Sequence, residues 1–329
     1  MSRRPARTTH RGAAILTAML LMALVATLSA AALWQQRRAL DLETAERARV
    51  QANWLLQGGT DWARLILRED ARSGSVDHLA EPWAVPLQEA KLSSFLNNGN
   101  STEDLPDSEL LQSAYLSGGI SDLQGRLNVS NLLLDQQTHG PTLRAFARLF
   151  EALQLPQSEL LVLVAGLRAS QATRTGAQGA TATPLQARTL SQLTWLGLSA
   201  HTVAALAPYA VVLPERTPVN LNTASAPVLQ AIVADLDAAG AQRLLEARAR
   251  SHFRNLAEVA QAAGKSELVL NDALHSVNSR YFEVRARLRL GSLITQERTV
   301  LQRDGLNVKP LWKTREAPTH AIPTNASVQ

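Results

Sequence analysis

RGAAILTAMLLMALVATLSAAALW, residues 11–34, decides how the rest of the chain must be read. No charged residue falls between Arg11 and Arg37, and the 21 residues 13–33 are almost all apolar. At 1.5 Å rise per residue such a helix spans roughly 30 Å, the thickness of a bilayer core. A helix apolar on every side has little use in a soluble domain. Four arginines precede it (Arg3, Arg4, Arg7 and Arg11), so the segment is a signal peptide or a membrane anchor. Its length favours the anchor, because a cleaved signal carries an apolar core of about 7–15 residues. Thr27 to Ala32 would still pass for a small-residue exit site.

The junction carries more information than the length. A short basic leader ends in Gly12, directly before the apolar run. This resembles a type IV prepilin signal, which implies that a prepilin peptidase cuts between Gly12 and Ala13 and that Ala13 is then methylated. The apolar helix would stay on the mature protein. Most prepilins carry glutamate at the fifth mature position, and here that position is Thr17. A carboxylate inside a bilayer costs on the order of 3 kcal/mol unless it finds a partner. In pilin-like filaments the implied partner is the free amine of the subunit ahead, so a subunit with none ahead has no use for it. The alternative is an ordinary signal anchor with no peptidase involved.

Composition removes several function classes. The absence of cysteine excludes disulfides, zinc-thiolate sites and thiol catalysis. A formal charge of +5 and a pI near 10 suggest nucleic acid at first sight. Of the 33 Lys and Arg, four lie in residues 1–12, leaving 29 against 28 acidic residues in a chain that starts at Ala13. A nearly neutral protein gives no general electrostatic case for DNA. Orientation is not decided by counting arginines, since Arg37, Arg38, Arg47 and Arg49 follow the span closely.

Outward from the anchor the pattern stays helical. Leu40, Ala45, Ala48, Ala52, Leu55, Leu56, Ala63 and Ile66 recur at mostly three- and four-residue spacing, which predicts an amphipathic stem ending near Arg68. Gly58-Gly59 would loosen it by about 1 kcal/mol each relative to alanine. Residues 70–107 read as loop, with Trp83 packing on the stem. Glu103, Asp104, Asp107 and Glu109 form an acidic cluster; oxygen ligands at such spacing are weak calcium candidates, and a solvated loop is the plainer reading. Asp122 to Gly125 has turn composition between two short extended runs and predicts a hairpin over residues 118–134.

Gly140-Pro141 opens a helix with Leu143, Phe146, Phe150 and Leu153 on one face. More helix follows at 158–167, then a low-complexity stretch over 170–184, then helical text from Thr189 to prolines 208 and 214. TPVNLNTASAPVLQAIVADLD, residues 217–237, predicts a helix capped by Thr223 or Ser225, with Leu229, Ile232, Val233 and Leu236 on one face. A second helix over 241–250 buries Ala241, Leu244 and Leu245, and the next position on that face is Arg248. The pair resembles a helix-hairpin-helix module, in which Asn-x-Asn-Thr-Ala precedes the first helix. DNA-binding versions present glycine-rich backbone N–H groups to phosphate. Here Ala234-Asp235-Leu236-Asp237 fills the turn, and two carboxylates would repel it.

SRYFEVRARLRLG, residues 279–291, alternates strictly. Phe282, Val284, Ala286, Leu288 and Leu290 share one face; Tyr281, Glu283, Arg285, Arg287 and Arg289 share the other, expected to be wet. Gly291-Ser292 is a hairpin turn with a returning strand over 293–303. Residues 306–329 read as a disordered tail, with Pro, Thr, Asn and Ser abundant from Glu316.

Taken together the chain resembles the type II secretion minor pseudopilin K family. The resemblance rests on the Gly12/Ala13 junction, Thr17, and segments 76–84, 119–133, 213–229 and 280–290. It implies an α+β fold: a long pilin-like helix, transmembrane at its N-terminus, packed on a small antiparallel sheet, with a large helical domain inserted between strands. The expected organisation is a leader over 1–12, a transmembrane helix over 13–34, and stem and first strands over 35–134. The inserted domain would occupy 135–275, including the hairpin module at 217–250, with returning strands at 276–305 and the tail at 306–329. The resemblance further implies a single-pass inner-membrane protein, its bulk in the periplasm, at the tip of a pseudopilus with minor pseudopilins I and J. There it would initiate assembly and support export of folded proteins. No enzyme and no required cofactor are expected; structural calcium occurs in some members. A membrane-anchored DNA-binding or DNA-uptake protein is the alternative, followed by a signal-anchored periplasmic enzyme. Dispersed histidines, with no His-Glu-x-x-His and no Gly-x-Ser-x-Gly, weigh against the last.

Overall fold

The computed structural model describes residues 11–96, 113–135, 137–172, 185–264, 268–291 and 293–316. Contacts divide the chain into two units, Met1–Leu55 and Leu56–Gln329, and the boundary falls inside one helix. That helix, α1, runs from Arg11 to Ser73. In the first unit every side chain from residue 14 to residue 47 is exposed. The large apolar ones between Ile15 and Leu33 are each more than half exposed. The helix meets the length and composition needed to cross a membrane. Past the apolar run, Glu43–Arg47 and Glu46–Arg49 ion pairs line its surface.

In the second unit α1 changes character. Leu56, Thr60, Ala63 and Leu67, spaced four, three and four apart, are buried on one face. Gly58-Gly59 does not interrupt the helix, since tertiary packing outweighs the weak local propensity. The helix also runs on past Arg68, because Asp70 is tied to Arg303 of a distant strand at 2.7 Å.

The sheet has five antiparallel strands in the order β1-β2-β9-β10-β11. They are β1 (Leu87–Lys91), β2 (Ala114–Asp122), β9 (Tyr281–Leu290), β10 (Leu293–Asp304) and β11 (Asn307–Glu316). A short helix α2 (Leu92–Leu96) follows β1. One face of the sheet packs on α1: Ala63, Leu67, Trp83, Phe282, Val284, Leu301 and Val308 form a common core. Trp83 sits edge-on to Phe282, with ring centroids 5.3 Å apart. The expected packing of Trp83 on the stem is what the structure shows.

Two expectations for this sheet are corrected. Residues 307–316, assigned to a disordered tail, form β11, paired with β10 from Asp304↔Asn307 to Gln296↔Glu316. Gly305, at φ +56°, makes the tight turn between them. Pro310 and the flanking lysines are tolerated because β11 is an edge strand. The second correction concerns the wet face of β9. Tyr281 and Glu283 are buried, while Arg285, Arg287 and Arg289 are half-buried. Leu123, Leu213, Tyr281 and Val300 form a second small core on this side, with Trp312 against it.

Between β2 and β9 lies the helical insertion. Its helices are α3 (Gly140–Ala152), α4 (Gln157–Ala172), α5 (Ala200–Leu206), α6 (Ala226–Ile232), α7 (Ala238–Arg250) and α8 (Leu256–Ala262). Phe146, Leu149 and Phe150 of α3 are completely buried and centre a core that runs from Leu127 to Leu274. That core starts ahead of residue 135, because the run after Gly125 belongs to it. No hairpin forms over 118–134: β3 (Leu127–Asn128) pairs in parallel with β6 (Ala210–Val211) and leaves β2 to the large sheet. Two further ladders, β4 (Leu133–Leu134) with β5 (Gln137–Thr138) and β7 (Val219–Asn220) with β8 (His275–Ser276), close the ends of the insertion.

Candidate functional site

The Asn220–Ala224 stretch is where insertion and sheet are joined. Asn220 Nδ2 donates to the Asp77 carbonyl (3.0 Å), to Asp122 Oδ2 (3.1 Å) and to Ser279 Oγ (3.0 Å). Asp122, at the end of β2, also accepts from Thr223 Oγ1 at 2.5 Å, Ser279 Oγ at 2.6 Å and the Gln124 N–H at 2.7 Å. Burial pushes this carboxyl up, and hydrogen bonds from Ser279, Thr223, Gln124 and Asn220 oppose the shift. Gly125 is required by the same junction: a Cβ there would lie 2.8 Å from Thr223 Oγ1 and 3.1 Å from Thr223 backbone atoms. Asn222 brackets Phe253, donating to its carbonyl and accepting from its N–H, each at 2.9 Å. Arg248 reaches the carbonyls of Leu221 and Ala224, and burial pushes its guanidinium down to about 10.

This wiring settles what the hairpin module does locally. Thr223 is spent on Asp122 and Ser225 makes no side-chain cap bond, so neither expected residue caps α6 through its side chain. Leu229, Ile232, Val233 and Leu236 are all buried, as the periodicity predicts. The second helix starts earlier than residue 241, at Ala238, because Asp237 caps it: its Oδ1 accepts from the Gly240 N–H at 2.7 Å. The one glycine N–H near this turn is therefore already bonded to a carboxylate. That N–H is not free for a phosphate, and Asp235 and Asp237 put negative charge in the turn.

A second polar cluster lies beside the first. Asp70, Asp77 and Glu81 bring carboxylate oxygens within 4.8 Å of one another. Arg303 from β10 sits among them, bonded to Asp70, Asp77 and the Ser279 carbonyl. Glu81 Oε2 accepts from Trp83 Nε1 (2.6 Å) and from the His78 N–H (2.9 Å), and Asp77 Oδ2 accepts from the Ser279 N–H (2.7 Å). Calcium does not fit this set: a guanidinium occupies the charge it would neutralise, and the oxygens already have donors. Burial, with Asp70 and Asp77 beside it, pushes Glu81 up to about 7. His78 stacks on His252, two residues past the end of α7, 3.8 Å between centroids, and burial lowers the His78 pKa.

The remaining predicted site residues are partly outside this picture. Glu103, Asp104 and Asp107 lie outside the described residues, as do residues 1–10 of the leader. Gly12 and Ala13 fall at the start of α1. Thr17 Oγ1 donates to the Ala14 carbonyl at 2.9 Å, so this hydroxyl has an acceptor within its own helix. An apolar groove of about 250 Å³ runs between α1 and the sheet, with Trp62, Ile66, Val85, Pro86, Leu116 and Ile120 among its walls.

Two family models, both describing type II secretion system protein K, match the chain over residues 125–215 and 219–278. A relative named type II secretion system protein K, from Pseudomonas aeruginosa, is 27% identical over 304 residues, covering 86% of this chain and 85% of its own. Over these spans the chain is similar to type II secretion system protein K. Both matched spans fall in the insertion and its junction with the sheet, so Asn220 lies within family-defining sequence. A chain in the crystal structure of the GspK–GspI–GspJ complex of enterotoxigenic Escherichia coli has the same fold, with a TM-score of 0.59 at 15% identity. The match covers 83% of this chain and 99% of that one. Both models and the relative are named as components of a type II secretion system.

In the sequence Asp122 shows only as a turn residue, and Asp77, Ser279 and Arg303 carry no site signal; their partners Asn220 and Thr223 are visible in the spacing Asn-x-Asn-Thr-Ala.

Proposed function

We propose that this chain caps the tip of the type II secretion pseudopilus and initiates its assembly with minor pseudopilins I and J. It would be held in the bacterial inner membrane by residues 13–34, with its bulk in the periplasm. The observation that carries this is one helix with two environments. From residue 14 to residue 47 it buries nothing, and from Leu56 it forms the spine of the sheet. An unpartnered apolar helix is suited to a bilayer first and to a bundle of like helices afterwards. The E. coli neighbour of the same fold was crystallised with GspI and GspJ, which supports those partners here. Thr17 fits a subunit that has no amine ahead of it to neutralise. The part is mechanical: the insertion blocks addition above the subunit, and the filament below supports export of folded substrates.

Processing between Gly12 and Ala13, with methylation of Ala13, belongs to this reading and gives its test. Intact mass is measured after expression with and without a prepilin peptidase. Loss of residues 1–12, with gain of one methyl group, is expected only with the peptidase. An unchanged Met1 end, or cleavage near Ala32, would remove the chain from the pilin pathway.

A further inference from the structure

On the side of the sheet away from α1, strands β9 and β10 and the insertion enclose a pocket of about 110 Å³. Four arginines line it: Arg126, Arg188, Arg285 and Arg298. The single acid in its wall, Glu283, is already consumed. It is buried and bonded to Arg285 Nε at 2.7 Å and to Arg298 Nε at 3.0 Å. Arg298 also reaches Glu316 at 3.5 Å. Arg126 is different. It stands just past the end of β2, half-buried, and its guanidinium makes no hydrogen bond or ion pair among the described residues. Burial pushes its pKa down, Arg285 and Arg298 push the same way, and Glu283 and Asp122 oppose them.

A guanidinium keeps its charge even when desolvated, and its planar fork is shaped for two oxygens of one anion. Leaving it in a part-buried pocket without an acceptor costs free energy that an oxyanion would return. The volume holds one small group and excludes a drug-sized ligand, which needs several hundred Å³. We propose that this pocket binds one oxyanion group, a phosphate or a carboxylate, with Arg126 as its principal ligand and Arg188 at its mouth. The proposal concerns the pocket alone and stands apart from leader processing, so either can fail without the other.

The test uses the full chain in detergent micelles, melted with increasing inorganic phosphate at constant ionic strength against chloride. A saturable rise in melting temperature is expected for the wild type. In Arg126→Gln the apparent affinity should fall at least tenfold, and in Arg188→Gln by a smaller factor. Arg287→Gln, on β9 beside Arg285 but outside the pocket, should behave as the wild type. Without phosphate, Arg126→Gln should melt at or above the wild-type temperature, because it removes an uncompensated charge. Repeating the titration with minor pseudopilins I and J present separates the two sources of the anion. Lost phosphate affinity would assign the pocket to a partner's carboxylate, and unchanged affinity to a free ion. No saturable effect in the wild type, or an equal one in Arg126→Gln, overturns the proposal.

Discussion

Asn220 does more than any other single side chain to join the insertion to the sheet. Its amide serves acceptors from the loop after α1, from β2 and from the start of β9. Replacing it by alanine leaves Asp122 in an apolar setting with fewer donors and opens a small void. Asn220→Ala should cost about 2–4 kcal/mol in denaturant unfolding. A loss below about 1 kcal/mol would mean the junction is held by packing instead. Glu81 carries a pH signature of its own. Its pKa is raised in the folded state from 4.5 to about 7, so its contribution is fully present below about pH 4.5 and is lost as pH rises through about 7. Stability should therefore fall by up to about 3 kcal/mol between pH 5 and pH 8 on this account, since each pKa unit is about 1.4 kcal/mol. The other groups facing it are Asp70, Asp77, Arg303 and His78. Glu81→Gln keeps an oxygen for Trp83 and His78, and it should flatten that slope while leaving stability at pH 5 unchanged. A slope identical to wild type would assign the pH dependence to the neighbouring carboxylates.

At the scale of elements, the sequence was most legible where one period dominates. The alternation in β9 puts Phe282, Val284, Ala286, Leu288 and Leu290 on one face, which is buried and packs Phe282 and Val284 against α1, and the 3.6-residue pattern of α3 puts Phe146 and Phe150 on its buried face. It was least legible where a second layer intervenes. Nothing in the alternation itself says that Tyr281 and Glu283 lie under the insertion, because a strand reports two faces and not what covers them. The parallel pairing of β3 with β6 joins residues more than eighty positions apart, beyond what local turn chemistry can signal. β11 was missed for a different reason. Lys309, Pro310, Lys313 and Arg315 make edge-strand text that composition alone reads as disorder. Asp237 shows the opposite case: read as a charge that repels phosphate, it is also the N-cap of α7. Asp237→Ala should cost about 1 kcal/mol in denaturant unfolding, as lost caps typically do. An unchanged midpoint would mean the Gly240 N–H finds water at no cost.

At the scale of the whole molecule, one stretch of α1 builds the fold and another, apolar and exposed, does not. Residues 14–47 contribute no buried side chain, whereas Leu56, Ala63 and Leu67 are sealed in the second unit. Apolar surface that is exposed in the monomer adds nothing to its folding free energy, and its transfer from water is gained only in a bilayer or a helix bundle. Deleting residues 1–34 should therefore leave the melting transition within about 2 °C of the full chain, a shift worth about 1 kcal/mol. The same deletion should make the protein soluble without detergent and remove it from the membrane fraction. Thermal melts followed by circular dichroism, paired with flotation on liposomes, read the two effects separately. If the truncated chain melts far lower or loses its cooperative transition, the apolar segment is part of the folding core, and the separation of tasks along α1 is wrong. If it melts normally yet still floats with liposomes, membrane attachment lies elsewhere, and the exposed apolar groove beside Trp62 and Val85 becomes the surface to test.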